Sequence, residues 1–343
     1  MKPTLVRIFL TAVVCLLIVA CEADDTPENN MEIFWTDFDW MYAQFDHKGI
    51  DWDAVHQRLR AVVGPETSDD ALFAALSDAA AQLNDGPIRI YADGRMFESG
   101  IVGQTEADDF ELDIVRRNYL SNEKQSGENN FTFGRLENQI GYIHIRQMSG
   151  ENDDWYNGID AALSALSGVS GMIVDIRGNL GGEDFDAFQI AGRFAGQKRA
   201  AMKTKYRNGP AHDDFGPAKT WYVEPKGPRQ FTGPIILLTN IFTMSAAENF
   251  TFAMTALPHV TQMGSTTAGA CANTLRRELL NGWFYTVPIG FFTDPQGHSV
   301  EGIGFVPDEV NYVINTPDDL DAGIDTVLET AMLRLTESSY SAQ

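Results

Sequence analysis

Met172-Ile173-Val174-Asp175-Ile176-Arg177-Gly178-Asn179-Leu180-Gly181-Gly182 decides the fold. Its first half is a short apolar run of the kind that forms a strand buried on both faces. Its second half holds three glycines, which let a chain turn sharply and approach a ligand closely. Phe185, Phe188, Ala191 and Phe194 follow at helical spacing, so the order is strand, glycine loop, helix. The pattern is repeated downstream. Ile235–Thr239 is a second buried-type strand, Asn240–Met244 a short loop, and a helix starts near Ser245. Upstream, Gly141–Ile145 is a strand, and Trp155, Ile159, Leu163 and Leu166 line a helix. This alternation predicts an α/β layer structure with strands between helices.

Working outward, Met31, Phe34, Trp35, Phe38, Tyr42 and Phe45 form one helical face, with Asn30 as the expected N-cap. Further helices are expected at 51–63 and from Thr67 or Ser68 to Leu83, ended by Asn84-Asp85-Gly86. Residues 31–86 therefore read as a small helical domain and 87–139 as connecting strands and helix. The core follows from 140 to 337. Within the connecting part, 88–91 is a strand, 108–120 a helix, 121–130 a loop, and 131–145 a hairpin turning at Glu137-Asn138. Thr316-Pro317 opens a C-terminal helix with Leu320, Ile324, Leu328 and Met332 on one face.

The N-terminus carries an address. Lys2 and Arg7 precede an apolar run of 13 residues from Ile8 to Ala20, too short for a comfortable span. Ile18-Val19-Ala20-Cys21 resembles the lipobox of bacterial lipoproteins. The expectation is a signal peptide over 1–20, lipid attachment at Cys21, a polar tether over 21–30, and a protein exported to the periplasmic side of the envelope. Of the three cysteines only Cys271 then remains, so no intrachain disulfide is expected. The 343 residues carry 48 acidic and 25 basic side chains, a net charge of −23. That balance excludes nucleic acid as a partner, because phosphate contacts need Lys and Arg. No metal-ligand spacing is present, and neither metal nor cofactor is expected.

Three segments carry the chemistry. The glycine loop at 178–182 can present free backbone N–H groups to an oxyanion. Ser245, with Glu248 three residues on, reads on pattern alone as a capping box, or else as a nucleophile at the positive end of a helix. Glu301-Gly302-Ile303-Gly304-Phe305-Val306-Pro307-Asp308 reads alone as a turn and strand edge. Together, the strand ending Asp-x-Arg-x-Asn-x-Gly-Gly, the Ser-Ala-x-Glu at 245–248 and the Glu-Gly-x-Gly-x-x-Pro-Asp at 301–308 resemble the C-terminal processing (tail-specific) serine peptidases. The resemblance is closest to the subgroup of the tricorn core and the retinoid-binding-protein repeats, and it covers about residues 31–335.

The resemblance implies a crotonase-like (ClpP-like) core without a PDZ domain, and hydrolysis of peptides or unfolded C-termini through an acyl-enzyme. It implies Ser245 as nucleophile, Gly181, Gly182 and Ala246 as oxyanion hole, and Glu301 as assisting acid. Two positions depart from the pattern. Where relatives place a Lys after the nucleophile helix this chain has Ala270, and where tricorn-like relatives place a His after the N-terminal helices it has Pro87. A serine needs a base within hydrogen-bond reach. His144 and His298 are the replacement candidates. The rival readings are an inactive relative that binds peptide or a hydrophobic ligand, and an esterase-like acyl hydrolase.

Overall fold

The computed structural model of the chain describes residues 24–100, 109–149 and 154–341. The expected signal peptide and Cys21 lie outside the described residues. The chain opens with four helices, α1 (Pro27–Met41), α2 (Phe45–Lys48), α3 (Trp52–Val62) and α4 (Asp69–Ala81). α1 begins inside the stretch expected to be tether. Thr26, not Asn30, is its cap, accepting the Asn29 N–H, with Pro27 at the first helical position. Asn30 lies within the helix, buried, and its amide oxygen accepts the Leu280 N–H at 2.8 Å.

The strands follow as β1 (Arg89–Ala92) and β2 (Arg95–Glu98), then helix α5 (Leu112–Asn118), β3 (Ser121–Ser126), β4 (Phe131–Arg135) and β5 (Ile140–Ile145). The βα alternation runs α6 (Asp154–Ala165), β6 (Gly171–Asp175) and α7 (Asp184–Ala191). Next come β7 (Arg199–Tyr206), β8 (Lys219–Val223), β9 (Ile235–Thr239), α8 (Ala246–Thr255) and β10 (Val260–Gly264). The chain closes with β11 (Thr274–Glu278), β12 (Phe284–Pro288), β13 (Gly290–Thr293), α9 (Pro317–Asp321) and α10 (Thr326–Ser341).

A six-stranded sheet in the order β10-β9-β6-β5-β4-β3 is the centre of the molecule. β10, β9, β6 and β5 are parallel, and β4 and β3 are antiparallel. Its side chains alternate between two cores, as a pleated strand requires. Met172, Val174, Ile235 and Leu237 pack with α6, α7 and α8 on one face. Ile173, Ile236 and Leu238 pack with α5 and α10 on the other. β6 and β9 are thus buried on both faces, which is why each reads as a continuous hydrophobic run up to its last residue.

Some expectations are corrected. Residues 121–126, expected as loop, pair with β4, and β3 is exposed along nearly its whole length, so burial periodicity could not reveal it. The C-terminal helix is two helices, because Gly323 takes φ +74° between α9 and α10. A second sheet, β11-β12-β1-β2, receives the N-terminal helices. Phe34, Phe38, Trp52, Leu72 and Leu76 share one core with Ile90, Tyr285 and Val287. β12 thus anchors the helical part to the chain that follows the Ser245 helix. A third sheet, β13-β7-β8, completes the fold.

Candidate active site

β6 and β9 are neighbours, and the loops that leave their carboxyl ends meet. In parallel sheets that edge is where ligands bind. The β6 loop is held by a buried ion cluster. Arg177 is fully buried, and its guanidinium donates to Asp175 at 2.6 Å and to Asp325 at 2.8 Å. Burial alone would raise the Asp325 carboxyl, but the Arg177 charge and hydrogen bonds overrule it and hold it low. Asn179 then ties the turn, donating to the Ile145 carbonyl at 2.9 Å and accepting the Gly181 N–H at 2.9 Å. The β9 loop docks on this turn through Met244 N–H to the Asn179 carbonyl at 3.1 Å and the Thr243 hydroxyl to the Ile176 carbonyl at 3.0 Å.

Ser245 sits at the top of the β9 loop with φ +56° and ψ −127°. This is a strained conformation for a residue with a Cβ, of the kind kept at functional sites. Its side chain does not cap α8, which corrects the capping-box reading. Glu248 still bears on the Ser245 backbone as a box acid would, but its main partners lie elsewhere. It is buried and turns into the 267–270 loop, accepting the Thr267 hydroxyl at 2.6 Å and the Gly269 and Ala270 N–H groups at 2.7 Å each. Burial pushes its carboxyl up to about 7, with those hydrogen bonds opposing the rise. Ala270 in turn accepts the Ser245 N–H at 3.0 Å. The position where relatives carry a Lys thus supports the serine through its backbone alone.

The expected oxyanion donors divide. The Gly181 N–H is spent on Asn179, so it is not available to a ligand. The N–H groups of Gly182 and Ala246 donate to no acceptor among the described residues. Gly181 serves by lacking a side chain, since a Cβ there would lie 2.6 Å from the Ser245 Cβ and 2.9 Å from the Ala246 nitrogen. Ser245, Gly182, Met244, Gly86, Pro87 and Arg89 line one cleft of about 350 Å³.

Neither candidate base reaches this cleft. His144 is buried on β5, with Nε2 3.4 Å from the Arg177 carbonyl and its ring against Phe110. Burial lowers its pKa, so it is a neutral core histidine. His298 is exposed on Asp294 and lines a different, larger cleft of about 840 Å³ that contains neither Ser245 nor either strand-end loop. The chemistry sits in the smaller cleft. Among the described residues no side chain hydrogen-bonds the Ser245 hydroxyl. Pro87, the position where the resemblance implies a His, lines the same cleft as Ser245.

Glu301 is buried, 1% exposed, and bonds the backbone beside Ala270 and at Ala272, which line the cleft. Its Oε2 accepts from the Cys271 N–H at 3.2 Å, the Cys271 thiol at 3.0 Å and the Ala272 N–H at 3.1 Å. Burial, then the nearby Glu301 and Glu248 carboxyl groups, push the Cys271 thiol well up, which leaves it a packed neutral group. No cluster of three or more metal-binding side chains occurs among the described residues, and no described helix is long and apolar enough to cross a membrane.

Comparison with known proteins agrees with this geometry. Residues 139–311 match the model for peptidase family S41. The tricorn protease of Thermoplasma volcanium is 28% identical over 208 residues, 58% of this chain and 18% of that protein. The carboxy-terminal processing protease CtpA of Bacillus subtilis is 25% identical over 50% of this chain and 34% of its own. The carboxyl-terminal-processing protease of Synechocystis is 28% identical over 50% of this chain and 38% of its own. The chain spans about a fifth to two fifths of the length of these relatives. Among solved structures, a Parabacteroides merdae protein described as a peptidase superposes with a TM-score of 0.82 at 29% identity, covering 91% of this chain and 97% of that one. Mature CPAF superposes at 0.63 with 12% identity, over 89% of this chain and 96% of that one, a likeness of fold alone. With the strand-end loops, the strained serine and the unspent amides in place, the chain belongs to peptidase family S41.

Proposed function

We propose that the protein is a serine-type peptidase acting on peptides or unfolded C-termini through an acyl-enzyme at Ser245, with no side-chain base. The observation that carries this reading is the strained Ser245 beside two unspent amides, Gly182 and Ala246. In the acylation step the Ser245 oxygen bonds to the substrate carbonyl carbon. The resulting oxyanion accepts the two amides, and the C–N bond breaks as the amine leaves with the serine proton, carried by water. Water then cleaves the ester. Such a site retains the catalysis due to oxyanion stabilisation and binding, which persists when triad members are removed. Esters need less activation than amides and would turn over faster here.

Pro87 and Ala270 favour a second reading, a peptide-binding relative with no turnover. Labelling of the purified protein with a fluorophosphonate, beside Ser245→Ala, separates the two. Slow labelling that vanishes in the variant supports the peptidase; no labelling of the folded protein supports the binder. We further propose export and anchorage at Cys21. Incorporation of a fatty-acid analogue that is lost in Cys21→Ser tests this.

A further inference from the structure

We infer that Asp85 and Glu301 share a single proton and together form a positioning pair that fixes the Pro87 side of the cleft against the Ala270 side. The inference rests on the peptidase reading only for what is positioned; the pairing itself stands on the buried polar atoms.

Asp85 is 0% exposed and Glu301 1%. Asp85 Oδ2 accepts the Tyr42 hydroxyl at 2.6 Å and lies 3.2 Å from the Lys48 ammonium. Glu301 Oε2 takes the Cys271 and Ala272 donors described above. The second oxygen of each acid, Asp85 Oδ1 and Glu301 Oε1, is buried and has no donor. The two acids are neighbours: Asp85 bears directly on Glu301, and Gly302, next in the chain to Glu301, packs on the Lys48 ammonium that pairs with Asp85, a Cβ there falling 3.3 Å from Nζ. Two carboxylates have only acceptors, so a hydrogen bond between them needs one proton.

The local charge gives the same count. Lys48 is the cation at the pair, and its other donors go to the Leu83 and Asn84 carbonyls at 3.0 Å each. It balances one carboxylate. Tyr42 and Cys271 stay neutral, since burial first and nearby carboxylates second push both well up. Glu248, the remaining acid that bears on the group, adds negative charge as it ionises. A second, unpaired buried carboxylate would carry a large desolvation cost. Burial, followed by the Asp85 charge, raises Glu301 well above the ordinary range, so Glu301 is the member that holds the proton.

The pair has a mechanical role. Asp85 lies two residues before Pro87, which lines the cleft, and Glu301 grips Cys271 and Ala272, next to the Ala270 carbonyl that holds the Ser245 N–H. The shared proton therefore links the two sides of the cleft.

Infrared spectroscopy reads this proton directly, because a protonated carboxyl has a carbonyl stretch that carboxylates lack. The full-length protein is measured ~2 pH units above the Glu248 midpoint, where that acid is ionised. A protonated-carboxyl band is expected, and it is expected to be lost in Glu301→Gln. In Asp85→Asn the side-chain amide can donate to Glu301 in place of the shared proton, so the band is again expected to be lost. Absence of the band in wild type, or its persistence in both folded variants, would overturn the inference. Absence of Ser245 labelling in the folded wild type with the band intact would overturn the peptidase reading and leave the pair standing. Stability gives a second readout. Unfolding releases the Glu301 proton, so wild-type stability falls as pH rises above the Glu248 midpoint of about 7 and below the ordinary thiol range. Glu301→Gln should flatten that slope, and an unchanged slope would contradict the pairing.

Discussion

The two walls of the Ser245 cleft are built differently. The wall formed by the ends of β6 and β9 is tied by hydrogen bonds at every turn, holds its serine in a strained conformation and keeps two amides unspent. The opposite wall, the Gly86-Pro87 turn, brings a ring with no proton-accepting nitrogen. On the proposed peptidase reading, the contrast separates nucleophile geometry from nucleophile activation. The first is set by strand register and glycines, and it survives with no base across the cleft. The second depends on one side chain at the end of a helix that belongs to a different core.

The comparison can be broken most severely at Arg177. Arg177→Ala leaves Asp175 and Asp325 as buried unpaired acids, and removing one partner of a buried pair costs about 3–5 kcal/mol. Urea unfolding should show that loss, and Ser245 labelling should disappear with it. A near-wild-type midpoint would mean the cluster does not hold the β6 loop.

Glu248 gives the next effect. Its carboxyl is raised by burial to about 7, so its contribution to stability is full below the ordinary carboxylate range and is lost as pH rises to about 7. The loss is on the order of 3 kcal/mol, at about 1.4 kcal/mol per pH unit. Denaturation across that window should show the decline, and Glu248→Gln should reduce its slope while weakening the 267–270 loop at every pH.

Gly181→Ala places a methyl 2.6 Å from the Ser245 Cβ. Overpacking of this kind costs about 1–3 kcal/mol, and labelling at Ser245 should fall even in molecules that remain folded. The smallest effect is expected far from the sheet wall. Asp51 caps α3 by accepting the Ala54 N–H at 2.9 Å. Asp51→Ala should cost about 1 kcal/mol and leave labelling unchanged; a large loss of labelling would show that the helical part governs the serine after all.

The sheet wall was legible because its parts are local. Residues 171–184 and 235–246 each hold a strand, a turn and a helix start in one short stretch, so periodicity and glycine positions place them. What escaped the sequence is long-range. Glu248 has the spacing of a capping-box acid, and only the approach of the 267–270 loop gives it the Thr267, Gly269 and Ala270 donors. Asp85 reads as a helix stop, and nothing near it announces Glu301. The histidines on β5 and beside the Glu301 segment invite a catalytic role, yet one is absorbed by the core and the other faces a separate cleft. The Asn-x-Gly-Gly spacing does contain one unused signal: the asparagine side chain that consumes the first glycine amide and leaves the second free.

Pro87→His tests the central claim most directly. Its backbone carbonyl already accepts the Thr286 hydroxyl at 2.6 Å, a contact the variant keeps. If the serine wall is complete and only the base is missing, fluorophosphonate labelling at Ser245 should accelerate by about a hundredfold or more, the usual contribution of a positioned base. The rate should rise with pH through about 6.5 as the imidazole loses its proton. Wild-type labelling as fast as that of the variant would contradict the account, because it would show that Ser245 already has a base.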